Sequence, residues 1–154
     1  MSLLFFDTSG LAKRYITETG SVWVNHACAP ASGNRVVIAE ITIVEIASAI
    51  VRRERGASLT SADAQAALRQ FDVDLTNIYF VSDVTSARLT EARRLAETYG
   101  LRALDAIQLA VAVNLNGEQL AARLPTITLV SADTELLDAA RTEGLAIENP
   151  NAHP

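Results

Sequence analysis

Short apolar runs recur along the chain, and longer segments with helical periodicity lie between them. Most of the runs are apolar at every position rather than at alternate positions, which is typical of strands covered by helices on both faces. The five predicted strands are Leu3–Phe6, Val36–Ala39, Ile78–Val81, Ile127–Val130 and Leu145–Ile147.

The segments between these strands place apolar residues three and four positions apart, as amphipathic helices do. The predicted helices are Ile41–Arg55, Ser61–Asp72, Val84–Tyr99, Ala103–Asn114 and Thr134–Thr142. Asn116–Pro125, which contains a glycine and ends in proline, is predicted to be an irregular surface stretch. Strands that alternate with helices favour an α/β fold with a mainly parallel central sheet of about five strands.

Four acidic residues lie beside apolar residues, where a soluble protein rarely places a charge: Asp7, Glu45, Asp105 and Asp133. A buried carboxylate must protonate, find a partner or bind a cation. Asp7 and Asp133 follow the first and fourth predicted strands, and Glu45 lies early in the helix after the second. Ligands of parallel sheets gather at the carboxyl ends of the strands. If the helix of Asp105 docks at the same edge, a divalent metal site is the simplest arrangement that keeps all four acids charged.

Each acid also has an ordinary structural explanation. Asp and Ser commonly cap helices, and acids on a helix face commonly pair with nearby basic residues. The corresponding alternatives are a helix cap by Asp7, a cap by Asp133 or Ser131, an ion pair of Glu45 with Arg52, and a cap by Asp105 or its ion pair with Arg102. Both explanations stay open for each acid, and only their joint placement favours a metal-dependent hydrolase.

The composition excludes several classes of protein. A chain of 154 residues, 49% of them hydrophobic, fits one domain with its own core, and we expect a single domain at 1–149 and a short tail at 150–154. Cys28 cannot form an internal disulfide, and neither a secretory signal nor a membrane-length apolar run is evident, so a cytoplasmic protein is expected. His26 and His153 lie far apart, which argues against a Cys/His zinc site and a serine–histidine–aspartate triad.

The charge balance does not by itself indicate a nucleic-acid partner. The net charge is −5 and the pI is near 5.0, whereas nucleic-acid binders normally carry a basic face. Lys13, Arg14 and Arg102 nevertheless lie near the acids in sequence. A basic rim of this kind could hold a phosphodiester strand whatever the net charge. Their ordinary alternative is a solvated helix surface.

The acidic motifs resemble those of a known family. Phe6-Asp7-Thr8-Ser9-Gly10-Leu11 is similar to the first motif of the PIN-domain ribonucleases, specifically the VapC-type toxins of bacterial and archaeal toxin–antitoxin pairs. The other acids lie in segments similar to the second, third and fourth motifs: Thr42-Ile43-Val44-Glu45, Leu101-Arg102-Ala103-Leu104-Asp105-Ala106 and Val130-Ser131-Ala132-Asp133. Gly10 and Ser131 stand where Ala and Thr are commoner in the family, and neither change removes an acid.

The resemblance implies a PIN-like three-layer α/β/α fold and a metal-dependent endoribonuclease that hydrolyses phosphodiester bonds in single-stranded RNA. The implied catalytic and metal-binding residues, for Mg²⁺ or Mn²⁺, are Asp7, Glu45, Asp105 and Asp133, supported by Thr8, Ser131, Lys13, Arg14 and Arg102. The resemblance also implies a cognate antitoxin protein that blocks the acidic groove, and a homodimer. On physical grounds, clustered carboxylates repel one another, so at least one should have a raised pKa before metal binds.

Two other classes of function remain as alternatives. One is a non-catalytic binding domain whose acids only cap helices and pair with arginines. The other is an aspartyl-phosphate phosphatase that uses Asp7. Such phosphatases need a second acid two residues further on, where this chain has Ser9.

Overall fold

The computed structural model describes residues 2–154 and has a five-stranded sheet at its centre. The strands are β1 (Leu3–Phe6), β2 (Arg35–Ala39), β3 (Tyr79–Ser82), β4 (Thr128–Val130) and β5 (Ala146–Glu148). All neighbouring strands are parallel, in the order β3-β2-β1-β4-β5. The predicted α/β fold with a mainly parallel sheet of about five strands is confirmed.

Helices cover both faces of the sheet. They are α1 (Thr8–Leu11), α2 (Ser21–Cys28), α3 (Ile41–Arg55), α4 (Ser61–Asn77), α5 (Ser86–Tyr99), α6 (Ala103–Ala121) and α7 (Thr134–Thr142). Side chains alternate along a strand, so Phe5 enters the core beneath α5, α6 and α7, while Leu4 and Phe6 enter the core beneath α1 to α4. The three-layer α/β/α arrangement is therefore confirmed.

The strand order reverses direction at β1. The chain runs outward from β1 through β2 to β3, and then returns to add β4 and β5 on the other side of β1. Such a switch point leaves a crevice at the carboxyl ends of the two central strands, where open parallel sheets bind ligands. Phe6 pairs with Val130 there, and Asp7 N donates to Val130 O at 3.1 Å. The residues that follow β1 and β4 consequently lie side by side.

The helix that carries Asp105 is longer than the sequence pattern predicted. α6 continues through Asn116 to Ala121, so the prediction of an irregular stretch from residue 116 is wrong up to that point. The buried Asn116 side chain is anchored from outside the helix, because its Oδ1 accepts hydrogen bonds from the Thr126 hydroxyl at 2.8 Å and from Ile127 N at 2.9 Å. The glycine that follows lowers helix propensity without ending a helix whose other residues are well packed.

The sequence pattern gave no helix bounds between residues 7 and 34. The structure has α1 there, with 4 residues, and α2, with 8 residues. Segments this short contain too few apolar repeats for periodicity to detect. Other bounds shift by a few residues: β3 begins at Tyr79 instead of Ile78, and α4 runs to Asn77 instead of Asp72.

The C-terminal residues pack against α2. Pro150 is buried at the start of a 3-10 turn, and the ring of His153 stacks on Trp23 with 5.0 Å between ring centroids. The division into a domain at 1–149 and a tail at 150–154 stays a prediction. Across residues 2–154, no helix combines the length and the apolarity needed to cross a lipid bilayer.

Candidate active site

Asp7 lies at the centre of the switch point, between β1 and α1. The residue is 3% exposed, and its Oδ1 accepts a hydrogen bond from Gly10 N at 2.8 Å. The Ser9 hydroxyl lies 2.9 Å from each carboxylate oxygen, and the Ser131 hydroxyl donates to Oδ2 at 3.0 Å. Burial raises the pKa of Asp7 to about 6, because the cost of desolvating the charged form outweighs these hydrogen bonds. A nearby cation would favour the ionised form.

Asp133 approaches Asp7 from the end of β4. The Ser131 hydroxyl, which donates to Asp7, also accepts a hydrogen bond from Asp133 N at 3.0 Å. Asp133 caps α7, since its Oδ1 accepts from Leu136 N at 3.1 Å. The capping roles of Asp7 and Asp133 are thus confirmed. Capping keeps both acids at the crevice, because a helix N-terminus favours negative charge.

Glu45 reaches the same region from α3. Its Oε1 accepts a hydrogen bond from Gln108 Nε2 at 3.0 Å. The same nitrogen lies 2.9 Å from Thr42 Oγ1 and 3.3 Å from Thr8 Oγ1. Thr8 directly follows Asp7, so the Gln108 side chain connects Glu45 with the end of β1.

Asp105 lies in the first turn of α6 and is partly buried. Burial is the main cause that raises its pKa, and repulsion from Asp133 and Glu45 raises it further, whereas Arg102 acts in the opposite direction. Electrostatic effects of this kind require proximity, so the three acids share one electrostatic neighbourhood. Repulsion between carboxylates, which clustering predicts, thus contributes to the raised pKa of Asp105, whereas burial raises the pKa of Asp7.

The four acids suit a hard divalent cation but do not form a closed cage. In the part of the chain that the structure describes, residues 2–154, no three His, Cys, Asp or Glu side chains are grouped so that they could hold one metal ion together. Mg²⁺ usually keeps several waters and uses only one or two carboxylates directly. The donors are oxygens, Asp7 is deeply buried, and Asp105 is repelled by its acidic neighbours. This set of oxygen donors fits a hard divalent cation that keeps several of its waters.

Two of the predicted supporting residues do not reach the acids. Lys13 is 4% exposed, and its ammonium group donates to Glu18 at 3.0 Å and to the carbonyl of Thr19 at 2.9 Å. Arg14 forms a two-pronged pair with Asp74, with Nε–Oδ2 at 2.6 Å and Nη2–Oδ1 at 3.2 Å. Both cations are thus paired with acids outside the candidate site, and a basic rim that includes Lys13 and Arg14 stays a prediction.

The other predicted supporting residues lie near the acids. Ser131 and Thr8 belong to the hydrogen-bonded network described above. Arg102 immediately precedes α6, is exposed, and is close enough to Asp105 to affect its pKa. Arg52, which was the alternative partner of Glu45, is exposed on α3.

Sequence reasoning missed two residues of this network, Ser9 and Gln108. Gln108 is 2% exposed within the apolar run of α6, and it follows Asp105 by one helical turn. A polar residue inside an apolar run was the criterion that identified the acids, and applying it to amides would have found Gln108. Ser9 had no comparable feature, since its role depends on β4 lying next to β1: Ser9 Oγ accepts from Ala132 N at 2.9 Å.

Comparison with known proteins identifies the family of the chain. The sequence model described as PIN domain matches residues 5–142, which is most of the chain. No curated protein sequence matches. The resemblance noted from the four acidic motifs agrees with this match.

Several solved structures have the same fold at low sequence identity. VapBC2 from Rickettsia felis, bound to a DNA fragment from its promoter, has 18% identity and a TM-score of 0.62, covering 96% of this chain and 98% of that one. PAE2754 from Pyrobaculum aerophilum has 20% identity and a TM-score of 0.63, covering 98% and 91%. FitAcB from Neisseria gonorrhoeae has 17% identity and a TM-score of 0.62, covering 96% and 97%.

Proposed function

Because the chain belongs to the PIN domain family, we propose that it is a metal-dependent endoribonuclease that hydrolyses phosphodiester bonds in single-stranded RNA. We assign Asp7, Glu45, Asp105 and Asp133 as the catalytic acids that hold Mg²⁺, with Mn²⁺ as a substitute. The protein acts in the cytoplasm as the toxin of a toxin–antitoxin pair.

One observation carries the nuclease assignment: hydrogen bonds link Asp7, Asp133 and Glu45 at the switch point of the sheet, and Asp105 lies within the electrostatic reach of two of them. The Ser131 hydroxyl joins Asp7 to the backbone of Asp133. Gln108 joins Glu45 to Thr8, next to Asp7. Asp105 is close enough to Asp133 and Glu45 to be repelled by both. Helix caps and surface ion pairs alone give no reason for four acids to lie at one edge of the sheet.

We assign a different role in hydrolysis to each residue of the site. Asp7 and Asp105 would hold the ion directly, and Glu45 and Asp133 would hold it directly or through water. Ser9 and Ser131 hold the Asp7 carboxylate in one orientation. A bound divalent cation lowers the pKa of a coordinated water and offsets charge in the transition state. Arg102, exposed at the rim, attracts the phosphate backbone. Water attacks phosphorus directly, the bond from phosphorus to one ribose oxygen breaks, and that oxygen leaves with a proton that derives from the water, so no covalent enzyme intermediate forms.

The partner assignment rests on the surface beside the acids. Val44 is 71% exposed next to Glu45, and Leu104 is 48% exposed next to Asp105. We take these two exposed apolar side chains, beside a charged site, as the contact for a protein partner. A basic, partly apolar antitoxin that covers the acidic groove suits this surface, and VapBC2 and FitAcB share the fold of the chain. We also propose that the free protein is a homodimer.

Cleavage of a mixed single-stranded RNA pool tests the nuclease assignment. Wild-type protein, the Asp7→Asn/Asp105→Asn double variant and an Asp138→Asn control are compared with Mg²⁺, with Mn²⁺ and with EDTA. Asp138 is an exposed acid on α7, so its loss should leave cleavage unchanged. Cutting that needs metal and disappears only in the double variant supports the proposal.

The other outcomes separate the alternatives. Absence of cutting in folded protein, with no rise in melting temperature on adding metal, favours a non-catalytic domain, since a ligand of the folded state must stabilise it. Phosphate trapped covalently on Asp7 would favour the phosphatase. Induced expression in growing cells tests the toxin assignment. The wild-type protein should arrest growth, and the Asp7→Asn/Asp105→Asn variant should not.

A further inference from the structure

Gln108 is the polar residue in the core of α6 for which helix packing gives no account. Its neighbours Leu109, Ala110 and Val111 are fully buried in the apolar core, and Gln108 itself is 2% exposed. Burying an amide is costly unless its groups are hydrogen-bonded. An apolar residue here would extend the core without that cost, so the amide needs a specific explanation.

The two ends of the Gln108 amide are satisfied unequally. Nε2 lies within hydrogen-bond distance of Glu45 at 3.0 Å, Thr42 at 2.9 Å and Thr8 at 3.3 Å. Oε1 is the only buried side-chain polar atom in residues 2–154 without a hydrogen-bond partner in the protein. An orphaned buried acceptor destabilises the fold. The orientation of the Gln108 amide therefore satisfies Nε2 and leaves Oε1 without a hydrogen bond.

The orientation of the amide follows from the chemistry of Glu45. An ionised carboxylate only accepts hydrogen bonds, so the amide nitrogen must face it. A flipped amide would place Oε1 against Glu45 Oε1 and lose this bond. Gln108 also lies three residues after Asp105, which puts both side chains on one face of α6. One rigid helix thus carries a candidate ligand and the group that holds the Glu45 carboxylate.

We propose that Gln108 is a positioning residue that fixes the Glu45 carboxylate relative to Asp7 and Asp105, so that the acids bind a divalent cation in the arrangement that hydrolysis requires. The inference rests on the proposed function, and it adds a residue outside the four acidic motifs. Gln108 itself contacts neither the metal nor the RNA in this proposal, and it acts by holding the Glu45 carboxylate. Outer residues that orient metal ligands typically contribute about 10- to 100-fold to metal affinity or activity.

The test compares Gln108→Met with a control on the same helix. Methionine has a similar length and no amide, and it adapts to irregular core space. Asn116→Leu is the matched control, because Asn116 is also a buried amide of α6 but bonds to Thr126 and Ile127, away from the acids. Mn²⁺ affinity of each full-length protein is measured by the electron paramagnetic resonance signal of the free ion, together with kcat, KM and melting temperature in EDTA.

Gln108→Met should raise the Mn²⁺ dissociation constant and lower kcat by about 10-fold each, with KM for RNA within about twofold of wild type. Asn116→Leu should melt at a lower temperature, since it leaves Ile127 N unsatisfied, while its Mn²⁺ affinity stays unchanged. Wild-type Mn²⁺ affinity and kcat in Gln108→Met would overturn the proposal, and so would a change confined to melting temperature. Wild-type protein that neither binds Mn²⁺ nor cuts RNA would overturn the proposed function as well.

A second measurement needs no catalytic activity. In the metal-free protein, the side-chain amide protons of Gln108 should exchange with solvent more slowly than those of the exposed Gln65, and Glu45→Ala should speed their exchange. Exchange as fast as that of Gln65 would show that Gln108 does not hold Glu45, which overturns the proposal even if the nuclease assignment stands.

Discussion

The Ser131 hydroxyl donates a 3.0 Å hydrogen bond to Oδ2 of Asp7, although the two residues are 124 positions apart in sequence. The bond joins the ends of the two central strands, and the Ser131 hydroxyl oxygen also accepts a hydrogen bond from Asp133 N at 3.0 Å. A single buried hydroxyl therefore connects two of the proposed catalytic acids. Removing the Ser131 hydroxyl should disturb the two acids while the protein still folds.

Ser131→Ala should lower kcat by about 10-fold, because Asp7 loses an orienting donor. The free energy of unfolding should fall by about 1–2 kcal/mol, since Asp133 N loses its acceptor. RNA cleavage kinetics and urea unfolding measure the two effects. Ser58→Ala, which removes an exposed hydroxyl in the α3–α4 connection, serves as the control and should change neither. Equal kinetics in both variants would contradict the assigned role of Ser131.

Asp7→Asn should stabilise the metal-free protein while abolishing cleavage. The folded-state pKa of Asp7, about 6, lies above the unfolded value, so its stabilising contribution is present below about pH 4 and is lost as pH rises through about 6. In EDTA at pH 8, the variant should exceed wild type by up to about 3 kcal/mol in the free energy of unfolding. At pH 4 this difference should disappear.

Urea unfolding at pH 4 and pH 8 measures this difference. Mg²⁺ should then stabilise the wild type more than Asp7→Asn, because the metal relieves the unfavourable charge only where a carboxylate is present. An Asp7→Asn protein that is less stable than wild type at pH 8 would show that the hydrogen bonds to Asp7 outweigh its burial.

Gly10→Ala should damage the site through backbone crowding. A Cβ at Gly10 would lie 2.7 Å from Val130 O and 3.3 Å from Asp7 Oδ1, so α1 would have to move away from β4. We expect a loss of about 1–3 kcal/mol in stability together with reduced cleavage. Gly117→Ala in α6 meets nothing within 4 Å and should stabilise the protein by about 0.5–1 kcal/mol. Thermal melts of both variants decide, and a Gly10→Ala protein as stable as wild type would refute the steric argument.

Substitution by alanine should lower stability at Arg14 and weaken RNA binding at Arg102. Arg14→Ala leaves the buried Asp74 carboxylate without its cation, which should cost about 3–5 kcal/mol of stability. Arg102→Ala removes an exposed residue and should change stability by less than about 0.5 kcal/mol. It should instead raise KM for RNA, with a smaller effect at high salt because salt screens phosphate contacts. A raised KM for Arg14→Ala at unchanged stability would reinstate Arg14 as a substrate contact.

Asp74 should contribute to the loss of stability in acid. Burial alone would raise its pKa, but hydrogen bonds from Arg14, Tyr15 and Gln70 outweigh burial and hold the pKa below its usual value. Its stabilising contribution is therefore present above the unfolded pKa of about 4 and is lost as pH falls below it. Unfolding free energies between pH 2 and 5 should show a steeper decline for wild type than for Asp74→Asn. If the unfolding free energies of the two proteins fall in parallel with pH, groups other than Asp74 cause the acid denaturation.

The sequence alone determined the parts of this protein that depend on local pattern. Apolar runs and helical spacing identified the five strands and most helices, because side-chain burial repeats with the period of each element. The acids Asp7 and Asp133 could be placed at strand ends for the same reason, and strand ends of a parallel sheet meet at one edge.

Only the tertiary structure decided which side chains meet. Lys13 and Arg14 lie close to Asp7 in sequence, yet their ion-pair partners are Glu18 and Asp74. Ser131 and Gln108 lie far from their partners in sequence, yet the strand order and the docking of α6 bring them into contact. Helical and strand periodicity specify the face on which a residue lies. The partner of a buried polar group depends on packing between distant segments, which no local pattern encodes.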